Sequence, residues 1–153
     1  MIVNIGVAGT LTKDLNVLDV AVATNVLQHD MDTSPIGDPK GLLSGINMIL
    51  LPADTKMVEL MCSCLADRNI HYKKGNIATG DQFIATKEQK DYISNTFDAI
   101  AAEMEGGSIG HVCYVNKVPF AILRSISDGD GGETDYQTFA EKAAHQSIEV
   151  CLL

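Results

Sequence analysis

The apolar residues change their period along the chain. Met1 to Ile5 and Val17 to Val26 are β-branched and apolar runs of strand type, and Gly6 and Gly9 interrupt the chain after the first. His29 to Gly45 carries two prolines and three glycines and is predicted as a long loop, of the kind that forms sites or interfaces. Met57, Leu60, Met61, Cys64 and Leu65 then recur at helical spacing, with Asp54 as their N-cap. Strands follow at Lys74–Ala78, Ala99–Met104 and Pro119–Ile126, with helices at Lys87–Phe97 and Ser108–Val115 between them. A closing amphipathic helix runs through Phe139, Ala140, Ala143, Ala144, Ser147, Ile148, Cys151 and Leu152. Alternating strands and helices predict an α/β fold on a parallel or mixed sheet, in one domain spanning residues 1–153. Such sheets hold ligands beyond the carboxyl ends of their strands. Both ends are abrupt, an apolar strand at the start and a half-finished helix at Leu153, so a fragment is also an expectation.

Composition narrows the function. Twenty acidic against eleven basic residues give a net charge of −9, and aromatics make up only 5%. That balance argues against nucleic acid and against an anionic membrane surface, which both need a cationic face. No stretch reaches the roughly 20 apolar residues of a membrane span, and no signal peptide pattern opens the chain. The expectation is a soluble, cytoplasmic protein. Cys62, Cys64, Cys113 and Cys151 form no CxxC pair and read as buried, reduced thiols.

Candidate chemistry collects at strand ends. Glu103 and Glu105 close an apolar segment, and strand alternation would put both on one face with Met104 opposite. Gly106 and Gly107 after them would let a ligand approach the backbone. Asp128 follows the run Pro119–Ile126, with Arg124 and Ser127 close by. The loop from Asp128 to Asp135 resembles a calcium loop but has Glu133 at the sixth position and Phe139 at the twelfth, where Gly and Glu belong. His29, Asp30 and Asp32 lack a second histidine at ligand spacing, so no metal is assigned and His29 reads as a solvated loop residue. His71, His111 and His145 stand alone, the last two in helices.

Five segments in order carry a resemblance: Asn4-Ile-Gly-Val-Ala-Gly9, His29-Asp30, Gly80-Asp-Gln-Phe-Ile84, Ala102-Glu-Met-Glu105 and Arg124-Ser-Ile-Ser-Asp128. Together they resemble the 5′-methylthioadenosine/S-adenosylhomocysteine nucleosidases of the purine nucleosidase/phosphorylase superfamily. The resemblance implies a three-layer α/β/α sandwich around a mixed, largely parallel sheet, and a homodimer built through the His29–Gly45 loop. It implies cleavage of the N-glycosidic bond of an adenine nucleoside by water, without a cofactor, in methionine salvage and nucleoside catabolism. Phe83 would stack on adenine and the Ile84 backbone would read its edge. Met104 and Glu105 would hold the ribose hydroxyls, and Asp128 would protonate N7. Ala8, Gly9, Glu103, Arg124 and Ser127 would complete the nucleoside pocket. Protonating N7 makes adenine a better leaving group, and a carboxylate near the sugar steadies its oxocarbenium character.

Two departures from the family pattern matter. The resemblance implies an earlier strand and turn that supply the water-activating glutamate, and no residue here matches it. Val7 stands where the nucleosidases usually have serine. Hexameric purine nucleoside phosphorylases carry a phosphate-binding arginine at the place of Asn4, so water is the expected acceptor. A phosphate-dependent phosphorylase and a non-catalytic nucleoside-binding fragment are the alternatives.

Overall fold

The computed structural model describes residues 1–151; Leu152, the last residue of the expected closing helix, lies outside them. Six strands form one mixed sheet: β1 (Ile2–Thr10), β2 (Val20–Gln28), β3 (Leu51–Pro52), β4 (Tyr72–Thr79), β5 (Ala99–Glu103) and β6 (Phe120–Asp128). Among the described residues four α-helices accompany them: α1 (Thr55–Asp67), α2 (Lys87–Phe97), α3 (Gly106–Val115) and α4 (Glu133–Cys151). The strand order is β3-β2-β4-β5-β1-β6, and β2 also pairs antiparallel with β6, so the sheet curls round until its two sides meet. The ladders β1–β6, β2–β4 and β4–β5 are parallel, whereas β1 meets β5 antiparallel at Gly9 and Thr10.

Helix α4 lies on β1 and β6, α1 and α3 lie on β2, and α2 lies on β4 and β5. Every residue of β6 is buried, because β1 and β2 flank it and α4 covers it. A large core gathers Val20, Val22, Leu51, Leu65, Ile77 and Ile122; a smaller one joins Leu27, Ile84, Ile93 and Phe97 under α2. Each such side chain contributes about 1.5–3 kcal/mol on leaving water. No described helix is long and apolar enough to cross a membrane.

Local signals explain most boundaries. Asp54 caps α1 by accepting from the Met57 amide. Thr86 and Gln89 form a reciprocal capping box on α2. Several expected bounds move by one to three residues, β2 beginning at Val20 rather than Val17 and α3 at Gly106 rather than Ser108, and others change more. β1 runs through Gly6 and Gly9 to Thr10, because β6 pairs with it along its length. α4 begins at Glu133, six residues before Phe139, where acidic side chains suit a helix start. Within His29–Gly45 there is one short 3-10 turn at Ser34–Ile36. Cys62 and Cys113 are buried free thiols while Cys64 is only partly covered, and burial pushes the Cys62 thiol up.

Candidate active site

The carboxyl ends of β5 and β6, the last residues of β1, and the segment after β4 converge on one cavity of about 120 Å³. That is the order of the space that holds one aromatic ring in a protein interior. Ala8 and Gly9 form one wall, Phe83 and Ile84 another, and Glu103, Met104 and Glu105 a third. Ser127 and Asp128 close the floor.

Asp128 is 3% exposed. Its Oδ1 accepts from the Ser127 hydroxyl at 2.8 Å. Burial pushes its carboxyl above the ordinary value; the Ser127 hydrogen bond and the Lys90 ammonium pull the other way, and the Asp135 charge adds to the rise. A register shift after Ala8 sets Gly9, rather than a bulkier neighbour, opposite Asp128. A methyl group at Gly9 would lie 2.6 Å from Asp128 Oδ2, so the carboxyl sits against bare backbone. Asp135 fixes the loop that follows by accepting from the Gly129 and Gly131 amides, each at 3.1 Å.

Glu103 and Glu105 do not share a face. β5 ends at Glu103, and Glu105 turns out of the strand to become the residue before α3. Glu103 is buried, and Glu105 has a side chain 66% exposed at the cavity rim. Glu103 accepts from Arg124 Nε at 3.1 Å, from Arg124 Nη2, and from Thr79 Oγ1. The Gly106 and Glu105 amides also donate to it, at 2.7 and 3.3 Å.

Gly106 and Gly107 therefore serve the helix rather than a ligand. A methyl group at Gly107 would come 2.8 Å from the Thr79 side chain, and one at Gly106 would come 2.9 Å from Glu103. Arg124, expected in the pocket, does not line it. At 1% exposure it donates to Glu103, to Asn4 Oδ1, and to the Asn4 and Leu123 carbonyls. Its part in the site is to hold Glu103.

Phe83 is 42% exposed and meets Tyr136 edge-on, with ring centroids 5.4 Å apart. Val7 and Gln82, from segments singled out in the sequence, also line the cavity, as do Tyr136, Lys90 and Leu11, which the sequence did not single out. Tyr136 carried one usable signal, an aromatic residue just after a glycine-rich loop at a strand end. His29 is not a solvated loop residue. It is 9% exposed at the end of β2, its amide donates to the Thr79 carbonyl at 2.9 Å, and burial holds its imidazole below the usual range. Asp30 braces the Gly80 turn by accepting from the Asp81 amide at 2.7 Å.

The phosphorylase superfamily profile matches residues 1–152. Aminodeoxyfutalosine nucleosidase of Helicobacter pylori is 40% identical over 146 residues, covering 94% of this chain and 63% of the relative. The 5′-methylthioadenosine/S-adenosylhomocysteine nucleosidase of Staphylococcus saprophyticus is 39% identical, over 98% of this chain and 67% of its own. The crystal structure of Helicobacter pylori 5′-methylthioadenosine/S-adenosylhomocysteine nucleosidase with butyl-thio-DADMe-Immucillin-A superposes with a TM-score of 0.92. It shares 38% identity, over 97% of this chain and 64% of that one. The chain thus spans roughly two thirds of the length of these relatives. On the profile match and these identities, the chain belongs to the phosphorylase superfamily and, within it, to the nucleosidases.

Proposed function

We propose that this chain binds an adenine nucleoside of the 5′-methylthioadenosine or S-adenosylhomocysteine type and hydrolyses its N-glycosidic bond. The observation that carries this reading is Asp128, a carboxyl raised by burial at the floor of a cavity with an aromatic wall. A carboxylic acid that keeps its proton can give it to N7 of the base, as the C1′–N9 bond breaks with its electron pair moving into the ring. Phe83 supplies the face for adenine and the Ile84 backbone its edge. Glu105 and Met104 stand at the rim where the ribose hydroxyls belong, and the Glu105 charge steadies the oxocarbenium-like sugar. Arg124 is committed to Glu103 and Asn4 and is not available to a phosphate, which supports water as the acceptor.

A homodimer through His29–Gly45 belongs to the same proposal, supported by Ile36, an apolar side chain almost fully exposed on that loop. So do a cytoplasmic setting and a place in methionine salvage and nucleoside catabolism.

One observation favours a second reading, binding without turnover. Among the described residues of the cavity, Glu103 is held by five hydrogen bonds and Asp128 is the acid. No buried carboxylate is left to take a proton from water. Adenine release from 5′-methylthioadenosine, measured with and without phosphate, separates the readings. Phosphate-independent release that Asp128→Asn abolishes, with nucleoside binding retained, is the expected result. Undiminished turnover in that variant removes Asp128 as the proton donor. Binding without release supports the second reading.

A further inference from the structure

Lys90 is the cavity's cation, and the chemistry above does not use it. It projects from the first turn of α2, lines the same cavity as Asp128, and its Nζ donates to the carbonyl of Gly129, the residue after Asp128. Other charged groups near Asp128 are acidic: Asp135 from α4, Glu103 from the end of β5 and Glu105 from the start of α3. Arg124 lies behind Glu103 and is paired with it. An acid that must lose its proton during the reaction, inside a buried and acidic site, needs a positive charge to stabilise the anion it becomes.

We propose that Lys90 is a positioning residue for proton transfer, clamping the β6–α4 loop at Gly129 and supplying the counter-charge for the Asp128 carboxylate. The inference rests on Asp128 being the proton donor. In the transfer the Asp128 O–H bond breaks, the proton passes to N7, and the new carboxylate faces the Lys90 ammonium. Burial alone would make Asp128 a reluctant acid. Lys90 offsets that by favouring the deprotonated product of the step, while leaving the carboxyl buried enough to hold its proton beforehand.

The test is a ¹³C NMR titration of the Asp128 side-chain carboxyl in the full chain, assigned with Asp128→Asn, in the parent, Lys90→Met and Lys90→Arg. Methionine keeps length and loses charge; arginine keeps the charge. The expected result is an upward shift of the Asp128 midpoint in Lys90→Met and a midpoint near the parent's in Lys90→Arg. A purely structural role predicts the opposite sign, because a loosened Gly129 loop admits water and draws the carboxyl back toward its ordinary value. A downward or absent shift in Lys90→Met therefore overturns the proposal.

Where adenine release is measurable, Lys90→Met should lower kcat on the order of 10-fold with KM little changed. That is less than the loss from deleting a donor that touches the reacting atoms. The titration needs no turnover, so it separates this proposal from the one beneath it. An Asp128→Asn variant that still turns over refutes the proton donor, whatever Lys90 does to the midpoint.

Discussion

Replacing Arg124 with methionine should cost the fold far more than a surface charge would. Arg124 reaches Glu103 through Nε and Nη2, and Asn4 and Leu123 through its remaining donors, with almost no exposure. Methionine fills much of the volume but leaves a carboxylate in the core with three donors, from Thr79, Gly106 and Glu105. Breaking a buried pair by removing one partner costs about 3–5 kcal/mol. The three surviving donors place the electrostatic loss at the low end, about 3 kcal/mol, and the orphaned Asn4 oxygen adds about 1 kcal/mol. A total of about 4 kcal/mol is a large share of the roughly 5–15 kcal/mol that holds a domain together. At about 2–4 °C per kcal/mol, the melting temperature should fall by roughly 8–16 °C.

Urea unfolding followed by circular dichroism measures this, with Glu103→Gln and the double variant completing a cycle. Glutamine keeps an acceptor for the Gly106 amide and carries no charge. The double variant should therefore lose clearly less than the sum of the two single changes. Because Glu103 also tethers the start of α3, nucleoside binding should weaken in Arg124→Met even where the chain remains folded. A loss below about 1 kcal/mol, or strict additivity in the cycle, would refute the reasoning.

Three further outcomes are expected. Gly9→Ala should displace the Asp128 carboxyl, because the added methyl would sit 2.6 Å from Oδ2; isothermal titration should show weakened nucleoside binding, and unaltered affinity would contradict the close approach. Thr86→Ala removes the capping box of α2 and should cost about 1 kcal/mol in chemical denaturation; an unchanged unfolding midpoint would contradict the cap. Asp128→Asn should stabilise the fold increasingly as pH rises from acid toward neutral. The Asp128 carboxyl titrates higher folded than unfolded, so between those two values the folded chain holds the extra proton and stability drains away with rising pH. Thermal melts across pH read the difference between parent and variant, and a difference that stays flat speaks against the burial effect.

Local patterns were legible and long-range ones were not. The α2 boundaries and the Asp54 cap follow from neighbours within a turn, and the structure has them where the sequence puts them. Strand alternation misread Glu105 because it assumes the strand continues. β5 stops at Glu103, where Arg124, distant in sequence, and the α3 amides capture the carboxylate. His29 went unrecognised as buried for a similar reason, since its cover comes from the Gly80 turn across the sheet. The β2–β6 pairing that curls the sheet leaves no mark on either strand's own pattern. Lys90 and Tyr136 look like ordinary helix residues until α2 and α4 bring them to one cavity.

The two carboxylates beside that cavity show how one apolar framework prepares unlike groups. Glu103 and Asp128 both end strands and both are buried, yet their partners differ in kind. Glu103 accepts from a guanidinium, two backbone amides and the Thr79 hydroxyl. Asp128 receives a single hydroxyl and presses against the bare backbone of Gly9, so burial dominates and the protonated form is favoured. The division comes from β6 itself. Arg124 and Asp128 are four residues apart on that strand, and the register shift between Ala8 and Gly9 lies between their pairing positions on β1. That shift leaves the glycine, with no side chain to offer, opposite Asp128, while Arg124 stays with Gly6 and beneath Glu103. Burial is thereby compensated by donors at Glu103 and left largely unopposed at Asp128, the contrast that the proposed proton transfer from Asp128 requires.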